Sequence, residues 1–174
     1  RGAAILASAI KALTVSSLIY WDLSENRITH EGIREICEML KNDKRLQVLK
    51  LDYNEFGNDG AEQIQIMLEV NKCLQVLHVA RNVIEDEGAK LIGKSLRVND
   101  TMVKLDLSHN YIEDEGAKIF SNSLKQNSTL VSLDLSHNRI GDKGGISLAE
   151  VLRSNRTLQS LSVKENDMKV AGEH

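Results

Sequence analysis

Two cysteines, Cys37 and Cys73, are all that this chain of 174 residues contains, and they form neither a disulfide framework nor a repeated metal-ligand spacing. A reducing compartment is therefore expected, the cytoplasm or alternatively the nucleus. Charge of either sign is not in excess: 22 Lys plus Arg stand against 25 Asp plus Glu, a formal net charge of -3. General attraction to phosphate backbones is absent, and nucleic acid is not an expected partner. No apolar run approaches the roughly 18 residues that a membrane span requires. The opening Arg1 to Ile10 also lacks the layout of a signal peptide, so no membrane association is expected. Gly-rich phosphate loops, nucleophile elbows and zinc-binding helices are missing as well. With no nucleophile, base and orienting group in one motif, the chain reads as a non-enzyme with no catalytic residues and no cofactor.

What is present is a repeat. Asn26, Asn54, Asn82, Asn110, Asn138 and Asn166 recur every 28 residues, and each follows an apolar pattern such as Leu46, Leu49, Leu51 or Leu130, Leu133, Leu135. A second comb of the same period stands six residues further on: Gly32, Gly60, Gly88, Gly116, Gly144 and Gly172. The spacing Leu-x-x-Leu-x-Leu-x-x-Asn predicts six strands at a 28-residue period within a single domain, residues 1–174.

After each strand the apolar spacing changes to that of a helix. Gly116, Ala117, Phe120 and Leu124 share one face, and Ile36 with Leu40, Ile64 with Leu68, Ile92 with Leu96 and Leu148 with Leu152 repeat the stripe. The glycine comb predicts close approach of helix to strand layer. Asp86, Asp114 and Asp142 are read as N-caps of the helices that they begin. Asn71, Asn99, Asn127 and Asn155 are read as left-handed C-caps, with Lys41, Arg97, Lys125 and Arg153 in the last turn. Gly2, Leu6 and Ile10 match the helical half of an earlier repeat, the chain begins without Met, and it ends at His174 just inside a helix. Truncation mid-repeat at both ends is the expectation, with further repeats in a parent protein.

The stretch Thr129-Leu130-Val131-Ser132-Leu133-Asp134-Leu135-Ser136-His137-Asn138 resembles the ribonuclease-inhibitor-like leucine-rich repeats, and the resemblance covers essentially the whole chain. It is similar to the repeats of nucleotide-binding innate immune receptors and of uncharacterised leucine-rich-repeat proteins. One repeat type of ribonuclease inhibitor itself carries Cys where this chain has Asn throughout. The resemblance implies an α/β leucine-rich-repeat solenoid, a right-handed horseshoe with parallel strands on the concave side and helices on the convex side. It also implies protein-protein interaction, with GTPase activation of the Ran-activator type as the alternative. Arg81 or Arg139 would then be the participating arginine.

Strand positions between the buried leucines project from the concave surface. The candidate partner-binding residues on it are Tyr20, Asp22, Lys50, Tyr53, His78, Arg81, Lys104, Asp106, His109, Asp134 and His137. Both charges mixed with tyrosine suit a protein partner better than nucleic acid, which favours a basic stripe with stacking aromatics. Any one of these positions taken alone reads first as ordinary solvated strand surface, and the expectation concerns the face as a whole. His109 and His137, one period apart, should be neighbours flanked by Asp106 and Asp134, while His78 belongs to a different row. No third imidazole or thiolate is in register, so no metal site is expected. Asp106 and Asp134 share a row where like charges repel, and a basic group of the partner would gain by lying across both. A monomer is expected, with end-to-end contacts available to exposed truncated repeats. Cys37 and Cys73 read as structural thiols. The sequon-like Asn99-Asp100-Thr101, Asn127-Ser128-Thr129 and Asn155-Arg156-Thr157 are read as features of the helix-to-strand turn.

Overall fold

A computed structural model describes residues 17–169; the helix read into residues 1–17, Ser17 apart, and Gly172 lie outside the described residues. Strands and helices alternate: β1 (Tyr20–Asp22), α1 (His30–Leu40), β2 (Val48–Lys50), α2 (Gly57–Val70), β3 (Val76–His78), α3 (Asp86–Ser95), β4 (Lys104–Asp106), α4 (Asp114–Leu124), β5 (Ser132–Asp134), α5 (Asp142–Leu152) and β6 (Ser160–Ser162). The strands form one parallel sheet in sequence order, each residue paired with the one 28 positions on, for example Leu49 with Leu77 and Asp106 with Asp134. Each helix packs on the next. Strands about 4.8 Å apart backed by helices about 8–10 Å apart bend the stack toward its strand side.

Burial follows the sequence period. Leu49, Leu77, Leu105 and Leu133 at the strand centres, and Ile64, Ile92 and Phe120 on the helices, are all 0% exposed. Leu152 departs from the stripe: at 44% exposed it is the last in its row, and no described helix covers it. The flanking strand residues Tyr20 and Asp22, or Lys104 and Asp106, stay at least partly in solvent, as the period of two along a strand requires.

Between the strand and helix layers runs an asparagine ladder. Asn110 is 3% exposed and accepts the N–H of Asn82 and of Ile84 at its Oδ1, both at 3.0 Å. Its Nδ2 donates to the carbonyls of Val79, Leu107 and Ser108. One side chain thus satisfies the polar backbone of two adjacent repeats where the chain turns away from the sheet, a place where unpaired groups are costly.

Two cap readings are corrected. Asp86, Asp114 and Asp142 are the first residues of α3, α4 and α5, and the residues before them, Glu85, Glu113 and Gly141, hold the cap position without a side-chain bond to the helix. The carboxylate serves the following helix instead: Asp86 Oδ1 accepts the N–H of Glu113 at 2.7 Å and of Gly116 at 2.9 Å. Asp114 does the same for Gly141 and Gly144, and Asn58 for Glu85 and Gly88. The stacked repeats bring the acceptor closer to the next helix's free donors than to its own.

The asparagines read as left-handed C-caps also reach across repeats. Asn71 is extended, at φ -65° and ψ 132°, and Asn99, Asn127 and Asn155 are not among the residues with positive φ. Asn71, Asn99, Asn127 and Asn155 donate to the carbonyls of Leu40, Leu68, Leu96 and Leu124, at the C-terminal ends of the preceding helices. Their Oδ1 atoms accept the N–H two and three residues on, as in Thr129 and Leu130 on Asn127, which builds the turn into the next strand. The amide groups of the sequon-like triplets are thereby engaged in the fold.

The glycine comb has its close approach at a different place from the strand layer. A Cβ at Gly88 would sit 2.7 Å from Asn58 Oδ1, 2.9 Å from Ile84 Cγ2 and 3.0 Å from Ala61 Cβ. Gly116 and Gly144 meet the same three kinds of atom. The crowding is against the previous repeat's capping side chain and helix alanine, and against the isoleucine four residues earlier in the glycine's own turn.

Candidate binding face

The outward strand residues line up in rows because the register never slips. One row runs Asp22, Lys50, His78, Asp106, Asp134 and Ser162, with Tyr20 and Lys104 in the row beside it. Lys50 Nζ lies 5.7 Å from the ring centroid of Tyr20, whose hydroxyl donates to Asp22 at 3.1 Å. Ser24 bonds the same carboxylate through its hydroxyl and its N–H, which holds the Asp22 acid below the ordinary carboxylate range.

His78, placed by sequence in a row apart from the other histidines, stands between two acids. Its Nδ1 is 3.3 Å from Asp106 Oδ2 and 4.0 Å from Asp52 Oδ2. Burial works to raise the pKa of Asp106, but hydrogen bonds from His78 and from the N–H of Ser108 outweigh it and bring it to about 2. Asp52 goes the other way: burial and the nearby Asp106 charge raise it, more than its bond from the N–H of Ala80 and the attraction of His78 lower it. Asp134 accepts the N–H and the hydroxyl of Ser136 at 2.8 and 2.6 Å. The aspartates of this row are therefore partly committed within the sheet.

Tyr53, Arg81, His109 and His137 form a further row, just past the strands, and all four have left-handed backbone, at φ 59°, 55°, 54° and 53°. Such a conformation costs a residue with a side chain about 1–2 kcal/mol. It is held because the N–H of each donates to the next repeat: Tyr53 to Ala80, Arg81 to Ser108, His109 to Ser136 and His137 to Lys164. The imidazoles of His109 and His137 stack with centroids 4.0 Å apart and an interplanar angle of 8°. Burial, then Arg81 and His137, lower the pKa of His109 against the pull of Asp106 and Asp134.

This row walls a cavity of about 330 Å³ at the rim of the sheet, lined by Tyr53, Arg81, His109 and His137 together with Glu55, Val83, Asn110 and Tyr111. The Arg81 guanidinium is 6.0 Å from the Tyr53 ring centroid, and that of Arg139 is 4.4 Å from Tyr111. Glu55, Val83 and Tyr111 were absent from the sequence-based candidates. They follow the ladder asparagines by one residue at the same 28-residue spacing, a signal that finds them once that position is assigned to the rim. Tyr20, Asp22, Lys50 and Lys104 lie outside the cavity lining. Among the described residues no three His, Cys, Asp or Glu side chains gather as a metal site, and no helix is long and apolar enough to cross a membrane. Cys37 is buried, which pushes its thiol pKa up; Cys73 is raised by burial and by Asp43.

A repeat of strand, asparagine-locked turn and helix, stacked in one parallel sheet, defines a leucine-rich-repeat solenoid. Residues 16–37, 45–64, 70–93, 98–121 and 126–149, more than half of the chain, match the Leucine Rich repeat family, and the chain belongs to it. No curated protein matches the chain. Among solved structures it is similar to leiomodin-1 actin-binding site 2, with 27% identity and a TM-score of 0.68 over 78% of this chain and 79% of that one. It is also similar to the tropomodulin C-terminal domain of Caenorhabditis elegans, at 16% identity and a TM-score of 0.72 over 87% of this chain and 92% of that one, a likeness of fold.

Proposed function

We propose that this chain is a protein-recognition module that takes its partner on the concave, strand-lined face. The observation that carries the reading is the rim cavity, where tyrosine, arginine and histidine side chains converge beside rows of mixed charge. Tyr and Arg dominate interface energetics, and Tyr20 and Tyr53 are 46% and 53% exposed. The Asp106 and Asp134 pair in the adjoining row offers a seat for a basic group of the same partner. The structural similarity to a leiomodin-1 region named for actin binding makes monomeric actin the first protein to test. The alternative, GTPase activation, needs an arginine that extends into another active site, whereas Arg81 and Arg139 both lie over tyrosine rings.

The test replaces Tyr53, Arg81, Asp106 and Asp134 together with alanine and, in a second variant, the exposed helix residues Glu62, Lys94 and Lys118. Affinity is measured for actin and for whatever protein the unaltered chain captures. A loss of about tenfold or more in the first variant alone is expected. Loss in the second variant alone would move the binding face to the helices.

A further inference from the structure

The rim cavity has a charge balance that selects its occupant. Its cationic and titratable lining consists of Arg81, His109 and His137, and the lining acid is Glu55. Two further acids, Asp106 and Asp134, face His109 from the strands and favour its charged form; His78 at 3.3 Å and Ser136 at 2.6 Å hold their carboxylates in the adjoining row. Tyr53 and Tyr111 also line it, each with a guanidinium over its ring. A space of about 330 Å³ has room for a side chain with its flanking backbone.

We propose that this cavity receives an acidic side chain of the protein partner, its carboxylate seated between the Arg81 guanidinium and the stacked imidazoles of His109 and His137. The proposal rests on the protein-recognition reading above and names the chemistry recognised at its rim. Stacked imidazoles 4.0 Å apart repel each other when both are charged, and Arg81 adds to that repulsion. A carboxylate beside all three relieves it. Binding therefore takes up protons, and affinity for an acidic segment rises as pH falls below the ordinary imidazole value, since burial and Arg81 hold the His109 imidazole down. A basic group over Asp106 and Asp134 would respond in the opposite sense, so the sign of the pH dependence separates the two seats.

The experiment uses the full 174-residue chain and an acetylated tetra-glutamyl peptide, with tetra-glutamine and tetra-lysine peptides and inorganic phosphate in parallel arms. Calorimetry at pH 7.5 and 5.5 reads affinity, and the imidazole resonances of His109 and His137 read location. Expected is binding of the glutamyl peptide alone, tighter by about tenfold at the lower pH, with both imidazoles shifted. Arg81→Ala should weaken it at both pH values, His109→Gln with His137→Gln should abolish the pH increment, and Glu62→Gln, on an exposed helix surface, should change neither. Equal binding of the glutamine peptide, unmoved imidazoles, or phosphate displacing the peptide from the same histidines would each overturn the proposal. If it fails while the Tyr53, Arg81, Asp106 and Asp134 variant still loses its protein partner, the recognition reading stands without it. If that variant also keeps full affinity, both fall.

Discussion

The carboxylate of Asp86 accepts the N–H of Gly116, thirty residues later, at 2.9 Å, and the starts of α3, α4 and α5 are each capped in this way by the repeat before. Capping and stacking are then one interaction. Asp86→Ala should cost about 1–2 kcal/mol, the usual range for a lost N-cap. The loss should appear in α4 and not in α3, where Asp86 itself sits. Amide hydrogen exchange is the measurement: Gly116 should exchange faster in the variant, while Gly88, bonded to Asn58, should not. Faster exchange at Gly88 alone would restore the own-helix cap.

The asparagine ladder predicts a gradient of costs. Asn110 makes five hydrogen bonds to two neighbouring segments while 3% exposed, and Asn110→Leu should cost about 3–5 kcal/mol by leaving buried N–H and C=O groups unpaired. Asn26 is exposed, and its amide donates to Leu23 and Ser24 of its own turn. Asn26→Leu should cost about 1 kcal/mol. Urea unfolding of the two variants gives the comparison, and equal midpoints would contradict the ladder's role.

At Gly88 the same geometry limits size. Gly88→Val puts its first carbon 2.7 Å from Asn58 Oδ1 and 2.9 Å from Ile84, and both the cap and the Ile84 side chain must shift. A loss of about 2–4 kcal/mol is expected from overpacking together with a damaged cap. Gly57 is the contrast. Its φ of +62° makes it strained for any side chain, yet an added Cβ meets nothing closer than the Val83 carbonyl at 4.0 Å. Gly57→Ala should cost about 1–2 kcal/mol from backbone strain alone. Thermal melting should rank Gly88→Val as the more damaging.

The order of elements, the strand register and the buried stripe were legible because Leu, Asn and Gly recur at one period, and a repeat can bury its apolar face only against its neighbours. The partner of each polar side chain was less legible. Asp86 is as well spaced for its own helix as for the next, and only the three-dimensional stacking decides. Asn99 and Asn127 carry the residue type of a left-handed cap, yet the preceding repeat's carbonyls claim their amides. In the candidate site, the row of Tyr53, Arg81, His109 and His137 followed from period alone. Its left-handed backbone and the convergence of Tyr111 and Val83 did not, since loop residues beyond the ladder carry no apolar alternation. His78 was assigned correctly to another row, but its contact with Asp106, one period further on, was available from the same count and was missed.

That contact leads to a pH prediction. The Asp106 acid, brought from 3.8 to about 2 in the folded chain, favours the folded state once it is ionised. Its contribution is complete above the unfolded value and is lost as pH falls from about 4 through about 2. A shift of this size corresponds to on the order of 2 kcal/mol. Asp106→Asn should therefore lower stability at pH 7 by up to that amount, and the gap from the unaltered chain should shrink below pH 4. His78→Ala removes the largest bond opposing burial, so the Asp106 carboxyl should titrate at a higher pH. Urea unfolding across pH 2–7, with the Asp106 side-chain carboxyl followed by nuclear magnetic resonance, checks both. A stability gap for Asp106→Asn that is the same at pH 7 and pH 2.5 would mean that packing, rather than the charge held by His78 and Ser108, is what Asp106 contributes.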